Sequence, residues 1–217
     1  LDHIGHGRSG GTRVYVERFA DFTKTLKIYF DKVRDWQPEV PIFLVGHSMG
    51  SLISTMFLLD HQDELAGAIL SGVLVKVPED ASPLVVFMGK MLSSLVPKMG
   101  LMDLESEFIS RDPAVVEAYV NDSLVHTGKY TARLGAELIK AMQRVSDQAG
   151  TIELPLLFLQ GSADRLVDPD GAQLLYDTVA STDKTLEIYE GFYHEVYNEP
   201  EHERVLRDVE DWLDKHI

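Results

Sequence analysis

The chain has 217 residues, enough to bury a sizeable core in one domain, and its 45% hydrophobic content is ordinary for a globular protein. With 35 acidic against 20 basic residues its formal charge is −15, which argues against nucleic acid and against polybasic attraction to anionic lipid. Zero cysteines exclude disulfides, thiol catalysis and Cys-zinc sites, and no apolar run is long enough to span a membrane as a helix.

The chain opens on a glycine-rich loop, Asp2 to Gly11. Neither phosphate-binding pattern, G-x-x-x-x-G-K-[ST] or G-x-G-x-x-G, is present in it. His3 and His6 lack a third ligand at a suitable spacing, so no metal is expected and a tight structural loop after a strand is the simpler reading. From about Val14 to Trp36, Phe19, Phe22, Leu26, Phe30 and Val33 recur at helical spacing. Pro41 to Val45 reads as a strand buried on both faces of a parallel sheet. It runs into Gly46-His47-Ser48-Met49-Gly50 and then a helix to about Asp60. Strand, G-x-S-x-G, helix is the context that makes a serine a nucleophile. Glycines on both sides let the backbone pass closely, and the turn aims the Met49 N–H at an oxyanion forming beside Ser48. Leu65 to Leu70 reads as a second buried strand.

The rhythm then changes. From about Val73 to Asp147 the pattern is helical throughout, with an apolar Met-rich stretch from Pro83 to Met102, a piece opened by Asp112-Pro113, and another from Tyr130 to Val145. An all-helical insertion between two strands reads as a cap over a catalytic face. Its Met-rich stretch could face a lipid-like substrate, a membrane surface or the cap's own core. Alternation resumes with a strand at 154–160, a helix at 169–180 capped by Asp168, a strand at 185–189 and an amphipathic helix at 200–217 carrying Val205, Val209, Trp212 and Leu213. The expected division is a hydrolase core at 1–72, a helical cap at 73–148 and the rest of the core at 149–217.

A serine nucleophile needs a base, and the base needs an orienting acid. In a parallel sheet the loops after strand C-termini converge on one edge. The strand at 154–160 leads into Asp164 and the strand at 185–189 into His194. The order Ser…Asp…His is that of α/β-hydrolases. Asp168 is the rival acid, but Pro169 follows it and helix capping accounts for it. His47 points the wrong way to be the base of its own neighbour and lines the pocket instead. His61, His126, His202 and His216 sit in surface-like contexts.

These segments resemble the monoacylglycerol lipases and their lysophospholipase relatives: Asp2-x-x-Gly5-His6-Gly7-x-Ser9, the Gly46–Gly50 pentapeptide, Gln160 to Asp168, and Lys184 to His194. The resemblance covers the whole chain and is weak through the cap. It implies an α/β-hydrolase fold, a mostly parallel sheet flanked by helices with a helical cap, and a Ser48–Asp164–His194 triad. It further implies that Met49 supplies one oxyanion N–H, that His47 helps bind a glycerol end, and that Tyr119 either contacts that group or only packs in the cap. No cofactor is implied. The family begins with further strands and a His-Gly loop carrying the second oxyanion donor; here the Asp-x-x-Gly-His-Gly segment stands at residue 2, so the N-terminal strands are expected to be missing. The strand at 41–45 would then show an open apolar edge, unless a second chain or another copy covers it.

The expected activity is hydrolysis of single-acyl lipid esters, foremost monoacylglycerol to glycerol and fatty acid. A general carboxylesterase, a lysophospholipase or an acyltransferase is the alternative on the same scaffold, and a catalytically silent fragment serving as an interaction module is the alternative of another class. The expected partner is a small lipid ester, with transient membrane-surface contact through the cap and a homo-oligomer left open; the expected location is cytoplasmic or peripherally membrane-associated.

Overall fold

The computed structural model describes residues 1–76 and 91–217. In chain order the elements are α1 (Ala20–Trp36), β1 (Phe43–His47), α2 (Met49–His61), β2 (Gly67–Ser71), β3 (Gly100–Met102), α3 (Pro113–Asn121), β4 (Tyr130–Thr131), α4 (Ala132–Gln148), β5 (Leu156–Gly161), α5 (Asp170–Thr178), β6 (Lys184–Tyr189) and α6 (His202–His216). Residues 91–95 are helical as well. β1, β2, β5 and β6 form a four-stranded sheet in that spatial order, and every neighbouring pair is parallel.

Side chains alternate across the sheet as strand geometry requires. Ala68, Leu70, Leu156 and Phe158 face a core shared with α1, α2, α4 and α5. Ile69, Leu157 and Leu159 face the other way, toward Val205 and Trp212 of α6. β2 and β5, in the middle, are buried along their whole length. α6 presents Val205 and Trp212 inward, with Val209 and Leu213 packed beside them.

Three features differ from the sequence reading. α1 starts at Ala20, not near Val14. Val14 has a positive φ of 46° and donates its N–H to Gly5 O, while the Phe19 N–H goes to buried Glu137. Tertiary partners take the backbone groups that a helix would have used. β1 is shifted to Phe43–His47 and is not buried on both faces; it lies at the edge of the sheet, in line with the open edge expected of 41–45, and Val45 is 59% exposed. Its ladder with β2 carries through to His47↔Ser71, which holds the strand straight up to the elbow. The 73–148 insertion is not all helical, because β3 and β4 pair antiparallel within it, Gly100 opposite Thr131. A short pairing of distant residues leaves no local periodicity to read. Of the apolar Met-rich stretch, Pro83, Val85 and Met88 lie outside the described residues. Met91, Leu95, Val96 and Met99 are all exposed to solvent at 41% or more.

Other local signals are met. Asp112 caps α3, accepting the Ala114 N–H at 2.9 Å, with Pro113 in the first turn. Thr131 caps α4 in the same way. No helix of the described residues is long and apolar enough to cross a membrane.

Candidate active site

The strand-to-helix turn at Ser48 is abrupt. Ser48 has φ 54° and ψ −122°, a combination that residues bearing a side chain rarely adopt. The turn is held from both sides: the Ser48 N–H donates to Ser71 O at 2.9 Å, and Ser48 O accepts from the Ser51 N–H and Oγ–H. Gly46 makes the turn sterically feasible, since a Cβ there would sit 2.4 Å from Ser54 Oγ and 2.5 Å from Gly50 O. Gly50 is different: a Cβ there would meet nothing within 4 Å, so the close passage expected on both sides of the serine exists on one. Met49 opens α2, and its N–H is one of the first-turn donors that no helical carbonyl can satisfy. That leaves it free to face an anion at the positive end of the helix.

Asp164 and His194 leave the C-terminal ends of β5 and β6 and meet. His194 Nδ1 lies 2.7 Å from Asp164 Oδ2, and both side chains are almost wholly buried. The Asp164 carboxylate is fully used: Oδ2 also accepts from Gln160 Nε2 at 2.9 Å, and Oδ1 accepts the Leu166 and Val167 N–H groups. Burial by itself would raise its pKa. The His194 hydrogen bond and charge, with the two backbone donors, outweigh burial and hold the carboxyl below the ordinary range. An ionised Asp164 can only accept, so Nδ1 of His194 carries the proton and Nε2 is the basic nitrogen. Asp168 goes elsewhere: it caps the Asp170 N–H and pairs with Lys76 at 2.9 Å.

His47, the residue before Ser48, packs against the base. Its ring centroid is 4.7 Å from that of His194, and its Nδ1 is 3.0 Å from Ser71 Oγ. Burial first, and the neighbouring His194 second, push its pKa down to about 3, so it is neutral at ordinary pH. Its Nε2 is sheltered and has no partner among the described residues. Gly72, with φ 51°, makes the packing of the two rings feasible: a Cβ there would lie 2.8 Å from His194 Cε1 and 2.9 Å from His47 Cε1.

The structure thus brings Asp164 to His194 and sets His47 against His194. Among the described hydrogen bonds Ser48 Oγ has none to His194; such nucleophile–base bonds are often long before substrate binds. Tyr119, on α3, is part-buried, and its hydroxyl pKa is pushed up to about 12 by burial, then by Tyr130 and Glu195, the residue after His194. Among the described residues its hydroxyl has no hydrogen-bond partner that would mark a role. His61 pairs with Glu64, His202 bonds to Glu199 O, and His216 bonds to Trp212 O and Asp183. His3 and His6 flank Phe22 edge-on, and among the described residues no group of three or more His, Asp or Glu side chains could hold a metal ion.

Sequence reasoning passed over Ser71 and Gly72, and read Gln160 only as the start of the 160–168 segment, with no role of its own. Gln160 is wholly buried and bridges the Val73 N–H to Asp164. The available signal was a polar residue closing an otherwise apolar strand, Ser71 after Ala-Ile-Leu and Gln160 after Leu-Leu-Phe-Leu.

Residues 1–201 match the family model described as serine aminopeptidase, S33. A monoacylglycerol lipase of Mycolicibacterium smegmatis is 39% identical over 217 residues, which is all of this chain and 78% of that protein. The monoglyceride lipase of Mus musculus is 40% identical over 219 residues, covering all of this chain and 72% of the mouse protein. Among solved structures, a monoacylglycerol lipase of Paleococcus ferrophilus superposes with a TM-score of 0.87 at 28% identity, covering 98% of this chain and 81% of that one. The chain therefore belongs to this serine hydrolase family and is a carboxylic ester hydrolase of the α/β-hydrolase fold, similar to the monoacylglycerol lipases.

Proposed function

We propose that the protein hydrolyses the ester of single-acyl lipids, with monoacylglycerol as substrate, through Ser48, His194 and Asp164. The observation that carries this reading is the buried 2.7 Å His194–Asp164 bond at strand ends that converge with the strained turn of Ser48. Ser48 Oγ attacks the ester carbonyl carbon while His194 Nε2 takes its proton. The carbonyl oxygen becomes an oxyanion and accepts the Met49 N–H, and Asp164 stabilises the imidazolium. As the oxyanion collapses, His194 gives the proton to the departing glycerol oxygen and leaves an acyl-serine. Water, deprotonated by the same nitrogen, cleaves the acyl-serine to fatty acid and free Ser48.

The neutral His47 is suited to the glycerol end. Its Nε2, without a partner among the described residues, offers a single hydrogen bond without the cost of a buried charge. Tyr119 would reach the same head group from the insertion. The 73–148 segment acts as a cap that shelters the acyl chain. Leu95, Val96, Met99 and Leu101, all exposed, support transient contact of that cap with a lipid surface.

Ser48→Ala in the full-length protein should abolish turnover of short nitrophenyl esters and of monoacylglycerol alike; retained turnover would sink the proposal. A panel of monoacylglycerols, lysophospholipids and simple esters reads the head group, with the highest kcat/KM expected for monoacylglycerol. Equal kcat/KM across the panel would reduce the assignment to a general esterase.

A further inference from the structure

The loop that carries His194 is held by a part of the chain with no role in the chemistry described above. Glu199 is 0% exposed, five residues beyond His194. Its Oε1 accepts the Tyr193 N–H at 2.8 Å and the Arg111 N–H at 3.2 Å, and its Oε2 accepts Arg111 Nε at 2.6 Å. Arg111 also donates to Glu201 and lays its guanidinium 4.8 Å from the Phe192 ring centroid. On the other side of the histidine, the Glu195 N–H donates to Ile109 O at 2.7 Å, and Ser110 Oγ donates to Asn198 O. Both peptide neighbours of His194 are therefore tied to one network, and its other half comes from residues 109–111 of the insertion. Phe108 extends the grip to the acid loop: Arg165, which follows Asp164, lies 3.8 Å over its ring, and Tyr193 packs on it edge-on.

We propose that Arg111 and Glu199 are a positioning pair that fixes His194 against Asp164 and couples the insertion to the catalytic loop. The inference rests on reading His194 as the base. Two physical points favour direction over mere stability. Glu199 is wholly buried while the Arg111 side chain is 32% exposed, so desolvating the carboxylate offsets much of what the pairing gains over an apolar contact. The planar fork and the two carboxylate oxygens, in contrast, set the angle between two backbone segments. With the pair cut, the Tyr193 N–H loses its anchor or Glu199 loses its counter-charge, and the imidazole is free to shift. A misplacement of ~1 Å costs about 10²-fold in rate.

The test uses Arg111→Ala, Arg111→Lys and Glu199→Gln in the full-length protein, with a nitrophenyl ester as substrate. Competent sites are counted by fluorophosphonate labelling taken to completion, so that kcat is expressed per site. For Arg111→Ala the expected result is a near wild-type count of sites, a kcat per site lowered about 10²-fold, and a KM within about threefold of wild type. Arg111→Lys should recover part of the loss, and added guanidinium ion should restore part of the rate of Arg111→Ala alone. Should Arg111→Ala fail to fold, Glu199→Gln keeps the shape and the acceptor for Tyr193 and reads the same loss more weakly. A full kcat per site with fewer labelled sites would overturn the proposal, since that is what a purely structural pair gives. Absence of Ser48 labelling in the wild-type protein would overturn the assignment beneath it, and the pair's role with it.

Discussion

Gly72→Ala places a single methyl group between the two histidines of the site. The backbone there has φ 51°, where an alanine costs about 1–2 kcal/mol. Part of that, about 0.4–1 kcal/mol, is offset because alanine restricts the unfolded chain. The net loss of stability is therefore modest, about 1 kcal/mol. The larger effect is local. The new Cβ would lie 2.8 Å from His194 Cε1 and 3.1 Å from His194 Nδ1, where ordinary contact begins at 3.4 Å. His194 must retreat by about 0.6 Å, and the atom pushed is beside the one bonded to Asp164 at 2.7 Å. His47 faces the same displacement from the other side, so neither ring can yield toward the other. A kcat lowered roughly tenfold to a hundredfold is expected, with the fold intact. Steady-state kinetics on a nitrophenyl ester, with thermal unfolding of the same sample, separates the two effects. A kcat within about twofold of wild type would refute the claim that His194 is held against Gly72.

Other outcomes follow from the same geometry. Asp164→Asn should cost about 10⁴-fold in kcat by permitting the wrong imidazole tautomer, while Asp168→Asn, which loosens only Lys76 and a helix cap, should leave kcat within about twofold; the reverse ranking would name the wrong acid. His47, held near 3 when folded against 6.5 when unfolded, takes up its proton preferentially in the unfolded chain between those values. Stability should fall as pH drops from about 6.5 toward 3, with a contribution of up to about 1.4 kcal/mol per pH unit, and urea unfolding at successive pH values should show a flatter profile for His47→Gln. Glu137→Leu strands the Phe19 N–H that starts α1 and should destabilise the fold by about 1–3 kcal/mol without altering kcat, as read by urea unfolding beside kinetics.

What the sequence disclosed was whatever is written locally. The apolar runs of β2 and β5, the glycines of the elbow and the loops bearing Asp164 and His194 all announce themselves within a few residues. So do the caps at Asp112 and the inward face of α6. What stayed hidden depends on partners far along the chain. Arg111 and Glu199 are separated by 88 positions, and neither carries a pattern that names the other. Val14 to Phe19 reads as helix until Gly5, Thr131 and Glu137 claim its backbone groups. The β3–β4 pair is two or three residues on each side, too short for periodicity to register. Val45 reads as core from its apolar strand alone, and the open edge expected of 41–45 comes from the family resemblance, not from any local pattern. Ser71 and Gly72 read as the end of a strand, and their contact with His47 and His194 emerges only when two other loops arrive beside them.

The central claim is that Ser48 is the nucleophile and His194 its base. It is tested most directly by treating the full-length protein with a fluorophosphonate and locating the adduct by mass spectrometry of its peptides. The account predicts one adduct, on Ser48, lost in Ser48→Ala and formed far more slowly in His194→Ala. An adduct on another residue, or labelling of Ser48 at an undiminished rate without His194, would contradict it.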